Sequence, residues 1–508
     1  MARNESFLQK AQQLLPKLRH ERVSVADTVE IQQKDGRTAV CPAEDYRVRT
    51  LRKGDVVCLD FGNHWVGHLT LRFGSVGSHP DAPAWLRIKF AERPCELWEN
   101  AEDYHGWISM GWIQQEQVHI DVLPAELSLP RRYAFRYVQI EVLDVSSKYQ
   151  LTLTDAWCDA TTSADDTALA PYQSDDSELV KLDAIACRTL RECMQTVFED
   201  GPKRDRRLWL GDLRMQALAN YETYRNNDLV KACLYLFAGT ADADGRISAC
   251  LFLEPEIEAD DTLMFDYSLF FVATLRDYYR ATNDLATVHE LWPSALRQIE
   301  LARAEFDSQG IVRDRDQLGW CFVDWNLALN KQASAQGIYL YCLKAAIELA
   351  QVLHLEEVAS ELRQEYAEKK AAAMQHLWDA DKQLFISGAD RQISWASQIW
   401  MVLGGAVVGQ DAAELLERAS CCSEIMEMVT PYMHHNYVDA LLTVQHKEKA
   451  LEVLRTYWGG MAAEGSDTFW ELYNPANPDE SPYGGTIVNS YCHAWSCAPA
   501  YFLRKFYS

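Results

Sequence analysis

The sequence predicts two domains, an antiparallel β-sandwich followed by a helical toroid, and three observations carry that prediction. Hydrophobic residues alternate with polar ones up to about residue 158, then recur at helical spacing towards the C-terminus. A polar connector, Asp159-Ala-Thr-Thr-Ser-Ala-Asp-Asp-Thr, separates the two regimes. The helical part has no repeat of fixed period, which argues against a solenoid and for helix pairs closing on themselves.

Over residues 23–158 the apolar runs are short. Val56, Cys58, Leu59 and Phe61 lead into Gly62-Asn63, and Leu69, Leu71 and Phe73 alternate with polar or small residues. Leu86, Ile88 and Phe90 follow, then Tyr137, Ile140 and Val142. Such runs, bounded by Gly, Pro, Asn and Asp, are strands with one buried face, and several in succession make a sandwich. The residues after the connector, 159–172, open the helical part. Leu179, Leu182, Ile185, Leu190, Met194 and Val197 keep i, i+3, i+4 spacing, with Ser177 as the expected N-cap and Asp200-Gly201-Pro202 as the stop. Similar patterns lie near 213–237, 266–282, 294–306, 333–353, 357–378, 394–404, 433–457 and 486–503.

The chain has 508 residues, with 74 acidic against 49 basic side chains and a formal charge of −25. That field repels phosphate backbones and anionic lipid, so nucleic acid and membrane surfaces are not expected partners, whereas a neutral sugar is indifferent to it. The 16 Trp and 23 Tyr suit stacking on sugar faces as well as ordinary cores. The N-terminus lacks the apolar region of a signal peptide, and the most apolar run, Ile399 to Val408, is shorter than the ~20 residues of a membrane span. The 14 Cys have no CxxC spacing, so the expectation is a reducing cytoplasm without structural zinc or disulfides. His434-His435 point about 100° apart on a helix and do not chelate one metal. HExxH, P-loop, GxGxxG and GxSxG motifs are absent, and no metal or other cofactor is expected.

The chemistry-bearing residues fall in the loops between helices. Glu199-Asp-Gly-Pro-Lys-Arg-Asp-Arg-Arg-Leu-Trp-Leu-Gly-Asp212 sets Asp200, Asp205 and Asp212 among Lys203, Arg204, Arg206 and Arg207, with Trp209 inside. This is either a solvated, charge-balanced loop or a sugar site in which aspartates bind hydroxyls beside a ring. Thr468-Phe-Trp-Glu471 opens a long Pro-rich loop. Trp320-Cys-Phe-Val-Asp324-Trp325 holds one Asp in apolar company, which is costly unless it is paired or binds something. Asp266 is similar, and a helix N-cap role would explain it.

This combination resembles the inverting α-L-rhamnosidases of glycoside hydrolase family 78 over nearly the whole chain. Leu59-Asp-Phe-Gly-Asn-His-Trp-Val-Gly-His-Leu and Arg132-Tyr-Ala-Phe-Arg-Tyr-Val-Gln-Ile-Glu are similar to that family's β-sandwich, and residues 173–508 to its (α/α)6 barrel. The Asp200–Asp212 segment, Asp324-Trp325, Thr468–Glu471 and His493 are similar to its catalytic blocks. The resemblance implies Asp205 as general acid and Glu471 as general base. It implies Asp200, Arg204, Trp209, Asp212, Asp266, Asp324, Trp325 and His493 around an L-rhamnose-containing substrate, with Asp266 and Arg204 the weaker matches. One departure stands out. Many members have Arg-Asp-Glu-Arg with the Glu as acid, whereas this chain reads Lys203-Arg204-Asp205-Arg206-Arg207 and is one residue shorter before Trp209. An ungapped register puts Arg206 at the acid position. A gap before Lys203 puts Asp205 there and preserves the spacing of Trp209 and Asp212.

Inverting hydrolysis needs one protonated and one ionised carboxyl, ~6.5–9.5 Å apart to admit a water. Flanking Arg would hold Asp205 ionised if they paired with it, so the reading expects them to point elsewhere. Another inverting glycosidase or phosphorylase, a non-catalytic sugar-binding protein and a helical scaffold are the competing readings. The sequence leaves the oligomeric state open, with a homodimer as one arrangement because exposed sandwich faces often dimerise.

Overall fold

The computed structural model describes residues 3–34, 37–315 and 320–508. Its first domain is one nine-stranded, antiparallel, hydrogen-bonded sheet. The strands are β1 (Arg19–Ser24), β2 (Asp27–Lys34), β3 (Arg37–Pro42), β4 (Val56–Gly77), β5 (Ala84–Ala91), β6 (Gln115–Ile120), β7 (Ala125–Ser128), β8 (Tyr133–Asp144) and β9 (Tyr149–Thr162). The 22-residue β4 organises the sheet by changing partner along its length. Val56–Asp60 pair with β8, and Gly67–Gly77 pair with β9. The β4–β8 register slips between Asp60 and Trp65, an irregularity that bends a strand and strengthens its twist. Leu59, Phe61, Leu69, Leu71 and Phe73 of β4 enter one core with Ile88, Phe90, Phe135 and Leu153. Both ends of the sheet lie outside the expected 23–158, because β1 begins at Arg19 and pairs with the last residues of β9.

The second domain is helical. In chain order the helices are α1 (Glu5–Leu14), α2 (Ser177–Cys193), α3 (Leu210–Glu222), α4 (Asn227–Gly239), α5 (Phe265–Thr282), α6 (Leu285–Ala302), α7 (Gln332–Val352), α8 (Glu356–His376), α9 (Trp395–Gly404), α10 (Gly409–Ser420), α11 (Pro431–Thr443), α12 (Lys447–Val453), α13 (Gly459–Ala463) and α14 (Ala498–Phe506). From α7 to α12 they alternate in burial. Helices α3, α7, α9 and α11 are buried on nearly every side, whereas α8 buries only Ala359, Leu362 and Ala373, and α12 only Ala450. A helix apolar all round belongs inside, and one with a single apolar stripe belongs outside. The buried helices pack in succession, α3 on α5, α5 on α7, α7 on α9 and α9 on α11, and α14 returns to α2 and α3. The return is fixed by Arg504, whose Nε and Nη2 lie 2.7 and 2.8 Å from the Asp183 carboxylate of α2.

Several local expectations change. Asp176, not Ser177, caps α2, because its carboxylate accepts from the Glu178 and Leu179 amides. The 213–237 pattern breaks at Thr223 into two helices, the 294–306 pattern begins at Leu285, and 433–457 splits after Thr443. Residues 486–497 hold two short 3-10 helices, Thr486–Val488 and Ala494–Ser496, and only Ala498 onward is α-helix. Helices α1 and α10 have no counterpart in the pattern reading. Helix α1, N-terminal to the sheet, packs on α4 of the other domain. Among the described residues no helix is long and apolar enough to cross a membrane.

Candidate active site

The loop 199–209 is tied to itself and to the C-terminal block. The Asp200 amide donates to the Arg207 carbonyl, the Arg206 amide to the Gly201 carbonyl, and the Ala494 amide to the Asp200 carbonyl. A Cβ on Gly201 would lie 2.6 Å from the Arg204 carbonyl oxygen and 2.7 Å from Ser490 Oγ, so only glycine fits there. The Asp200 carboxylate caps the turn, accepting from the Arg207 amide at 3.0 Å and the Asp205 amide at 3.4 Å. Burial, then the charges of Asp205 and Asp212, push the Asp200 carboxyl up to about 8.

Asp205 and Glu471 meet through Arg204. Arg204 Nη2 lies 2.5 Å from Glu471 Oε2, and Nη1 lies 3.9 Å from Asp205 Oδ1. One guanidinium therefore lies within ion-pair distance of both carboxyls. Glu471 Oε1 accepts from the Tyr483 hydroxyl at 2.6 Å, and the Glu471 carbonyl accepts from Trp495 Nε1. The other flanking arginines turn away. Arg206 Nη2 donates to the Arg132 carbonyl, and Arg207 lies over the Phe252 ring and 3.5 Å from Asp260. Asp205 is the accessible carboxyl of the group, with 27% of its side chain exposed against 6% for Glu471 and 3% for Asp212.

Asp212 lies in the first turn of α3, where the exposed amides favour an anion. Burial raises its carboxyl, and His493 Nε2 stands 3.4 Å from Oδ1, which has no well-formed hydrogen bond. Burial alone would lower the His493 imidazole, but Asp212, Glu471 and Asp200 outweigh it and raise it. Trp209, the N-cap residue of α3, meets Tyr267 edge to face at 6.2 Å.

Asp266 and Asp324 occupy a different layer. Both Asp266 oxygens accept from the Phe322 amide, and one also from the Val323 amide, so Asp266 is not a helix N-cap. Asp324 accepts four donors: the Trp325, Val429 and Thr430 amides and the Thr430 hydroxyl. Together the two carboxylates pin the 322–325 loop between α5 and α11. That loop presents Trp325, whose buried Nε1 has no partner. A cavity of about 1180 Å³ beside it is lined by Asp324, Trp325, Trp107 and Tyr483. Asp200, Asp205, Asp212 and Glu471 are not on its wall, and Tyr483, bonded to Glu471, stands between the two groups. Among the described residues no group of three or more His, Cys, Asp or Glu is arranged to hold a metal ion.

The sequence reading missed Tyr483 and the sheet-domain residues behind it. Tyr483 lies in a Pro-Tyr-Gly-Gly turn that reads as a loop, and only the fold brings it to Glu471.

Two family models cover the chain, the glycosyl hydrolase family 78 α-rhamnosidase N-terminal domain over residues 22–160 and the bacterial α-L-rhamnosidase six-hairpin glycosidase domain over 168–506. No curated protein matches it. A rhamnosidase from Klebsiella oxytoca with rhamnose bound is 46% identical, covers 100% of this chain and 99% of its own, and superposes with a TM-score of 0.97. A family 78 rhamnosidase of Bacillus sp. GL1 shares the fold at 21% identity and a TM-score of 0.77, over 92% of this chain and 49% of that one. The Streptomyces avermitilis α-L-rhamnosidase complexed with L-rhamnose does so at 16% identity and 0.66, over 97% and 44%. With both of its domains matched in order, the chain belongs to the α-L-rhamnosidases of glycoside hydrolase family 78.

Proposed function

We propose that this glycosidase releases terminal α-L-rhamnose from small rhamnosides with inversion, Asp205 acting as general acid and Glu471 as general base. The observation that carries the reading is Arg204. It lies 2.5 Å from Glu471 and 3.9 Å from Asp205, so the cation is matched to the buried carboxyl and the more accessible one is left facing the substrate side. The gapped register is the one this geometry favours, because Arg206 turns to the Arg132 carbonyl. Asp205 protonates the leaving oxygen while Glu471 takes a proton from the attacking water. Asp200, Asp212, His493 and Trp209 surround the sugar. Asp212, beside His493, supplies an acceptor for hydroxyls, and the buried Trp325 Nε1, which has no partner, a donor. Asp266 and Asp324 act by holding the Trp325 loop.

The succession of buried helices with outer partners supports an (α/α)6 barrel, and the bent β4 supports a β-sandwich. Free cysteines throughout the chain fit a cytoplasmic enzyme. The acidic charge fits a substrate other than nucleic acid or lipid. A homodimer through the sheet domain completes the reading, to be measured by sedimentation. Hydrolysis of p-nitrophenyl α-L-rhamnoside, followed by NMR, should give β-L-rhamnose first, and Glu471→Gln should abolish turnover. First formation of the α-anomer would overturn the inverting mechanism.

A further inference from the structure

The sheet domain holds the Asp205 loop and the Glu471 block from behind. After β5, Glu92 and Glu96 are buried at the seam between the domains. Glu96 Oε1 accepts from the Glu92 and Arg93 amides at 2.8 Å, and Oε2 accepts from the Lys203 ammonium. Lys203, two residues before Asp205, is itself 1% exposed and also donates to the Asn489 carbonyl at 2.8 Å. Arg204 Nε donates to the neighbouring Val488 carbonyl at 2.7 Å. The same strip of chain is gripped again by the sheet domain: Glu92 Oε2 accepts from the Tyr491 amide, Glu99 from the Thr486 amide, and Tyr104 donates to the Tyr483 carbonyl. The turn bearing Asp205 thus takes its position from a carboxylate of the other domain.

We infer that Glu96 is a positioning residue for hydrolysis: its buried carboxylate, through Lys203, sets the Arg204–Asp205 turn and so the reach of the acid to the glycosidic oxygen. This rests on Asp205 being the acid. An Asp is one methylene shorter than a Glu, so its backbone must be held closer to the bond it protonates. A misplacement of about 1 Å is enough to cost on the order of 10²-fold in rate.

The test compares benzyl α-L-rhamnoside, whose alkoxide must be protonated as it leaves, with 2,4-dinitrophenyl α-L-rhamnoside, whose phenolate leaves unaided. Asp205→Asn should lose about 10³-fold on the first and little on the second. Glu96→Gln should show the same pattern more weakly, losing roughly 10- to 10²-fold in kcat on the benzyl substrate with KM nearly unchanged. Lys203→Met should match it, and the double variant should lose no more than either single one. Glu96→Asp, which keeps the charge, should fall between wild type and Glu96→Gln, and it serves as the test if the Gln variant does not fold. Equal losses on the two substrates, or none, in the Glu96 and Lys203 variants would overturn the inference while the Asp205 assignment stands. A fully active Asp205→Asn enzyme on the benzyl substrate would remove that assignment instead, and the inference with it.

Discussion

The guanidinium of Arg204 lies 2.5 Å from the carboxylate of Glu471, although 267 positions separate them in the chain. This pair joins the loop after α2 to the block before α14, and both partners are buried. Arg204 also holds the Val488 carbonyl, so it fixes backbone as well as charge. Replacing it with Met removes both bonds and leaves Glu471 without its cation. The expected result is a kcat on p-nitrophenyl α-L-rhamnoside lower by about 10²-fold or more, with far-ultraviolet circular dichroism unchanged. Arg204→Lys should recover little of this, because an ammonium cannot reproduce the planar fork.

Tyr483 supports the same carboxylate from its other oxygen, at 2.6 Å. A hydrogen bond to a charged group contributes about 1.5–3 kcal/mol. Tyr483→Phe keeps the ring against Trp325 and Arg204 and removes only the hydroxyl. It should lower kcat/KM by roughly tenfold to a hundredfold. Steady-state kinetics on the purified variant decide this, and an unchanged kcat/KM would show that the hydroxyl does not orient Glu471.

Stability should fall as pH rises across the neutral range. Burial pushes Asp200 up to about 8, Glu96 to about 7 against the pull of Lys203, and Asp324 to about 6 against its four hydrogen bonds. A carboxyl raised in the folded state keeps its proton where the unfolded chain has lost it, so the native state binds more protons and loses stability with rising pH through that window. His493, also raised, acts in the same direction as its proton leaves. Glu192, lowered to about 2, works oppositely below the ordinary carboxylate range, and the buried His434, lowered to about 4, and His435 work oppositely up to about pH 6.5. The melting temperature should therefore decline from about pH 6.5 to 8. Asp200→Asn should flatten the decline, by up to ~1.4 kcal/mol per pH unit, in a thermal-melt series.

Helices α7 and α9 approach each other closely at Gly337. A Cβ there would stand 2.5 Å from the Trp400 backbone carbon and 2.8 Å from the Met401 amide nitrogen. Backbone cannot yield as a flexible side chain can, so Gly337→Ala must push the helices apart. Overpacking of this kind costs about 1–3 kcal/mol. Chemical denaturation should show a lower midpoint, and an unchanged midpoint would mean that the two helices separate without penalty.

Much of this protein is determined along the chain. The change of hydrophobic period near residue 159 separates sheet from helices because each element buries one face at its own spacing. The Asp200–Asp212 loop and Glu471 are legible because carboxylates beside Trp in Gly- and Pro-bounded loops are chemically conspicuous. Helix ends were less legible, since Asp176 and Ser177 are both good caps and only the backbone dihedrals choose between them. What the tertiary structure alone decided is who meets whom. The chain cannot show that Arg204 faces Glu471 rather than Asp205, that Asp266 and Asp324 bond a loop's amides, or that Glu96 of the sheet reaches Lys203. Those contacts join residues tens to hundreds of positions apart, and burial in the tertiary fold rather than any local pattern makes them strong.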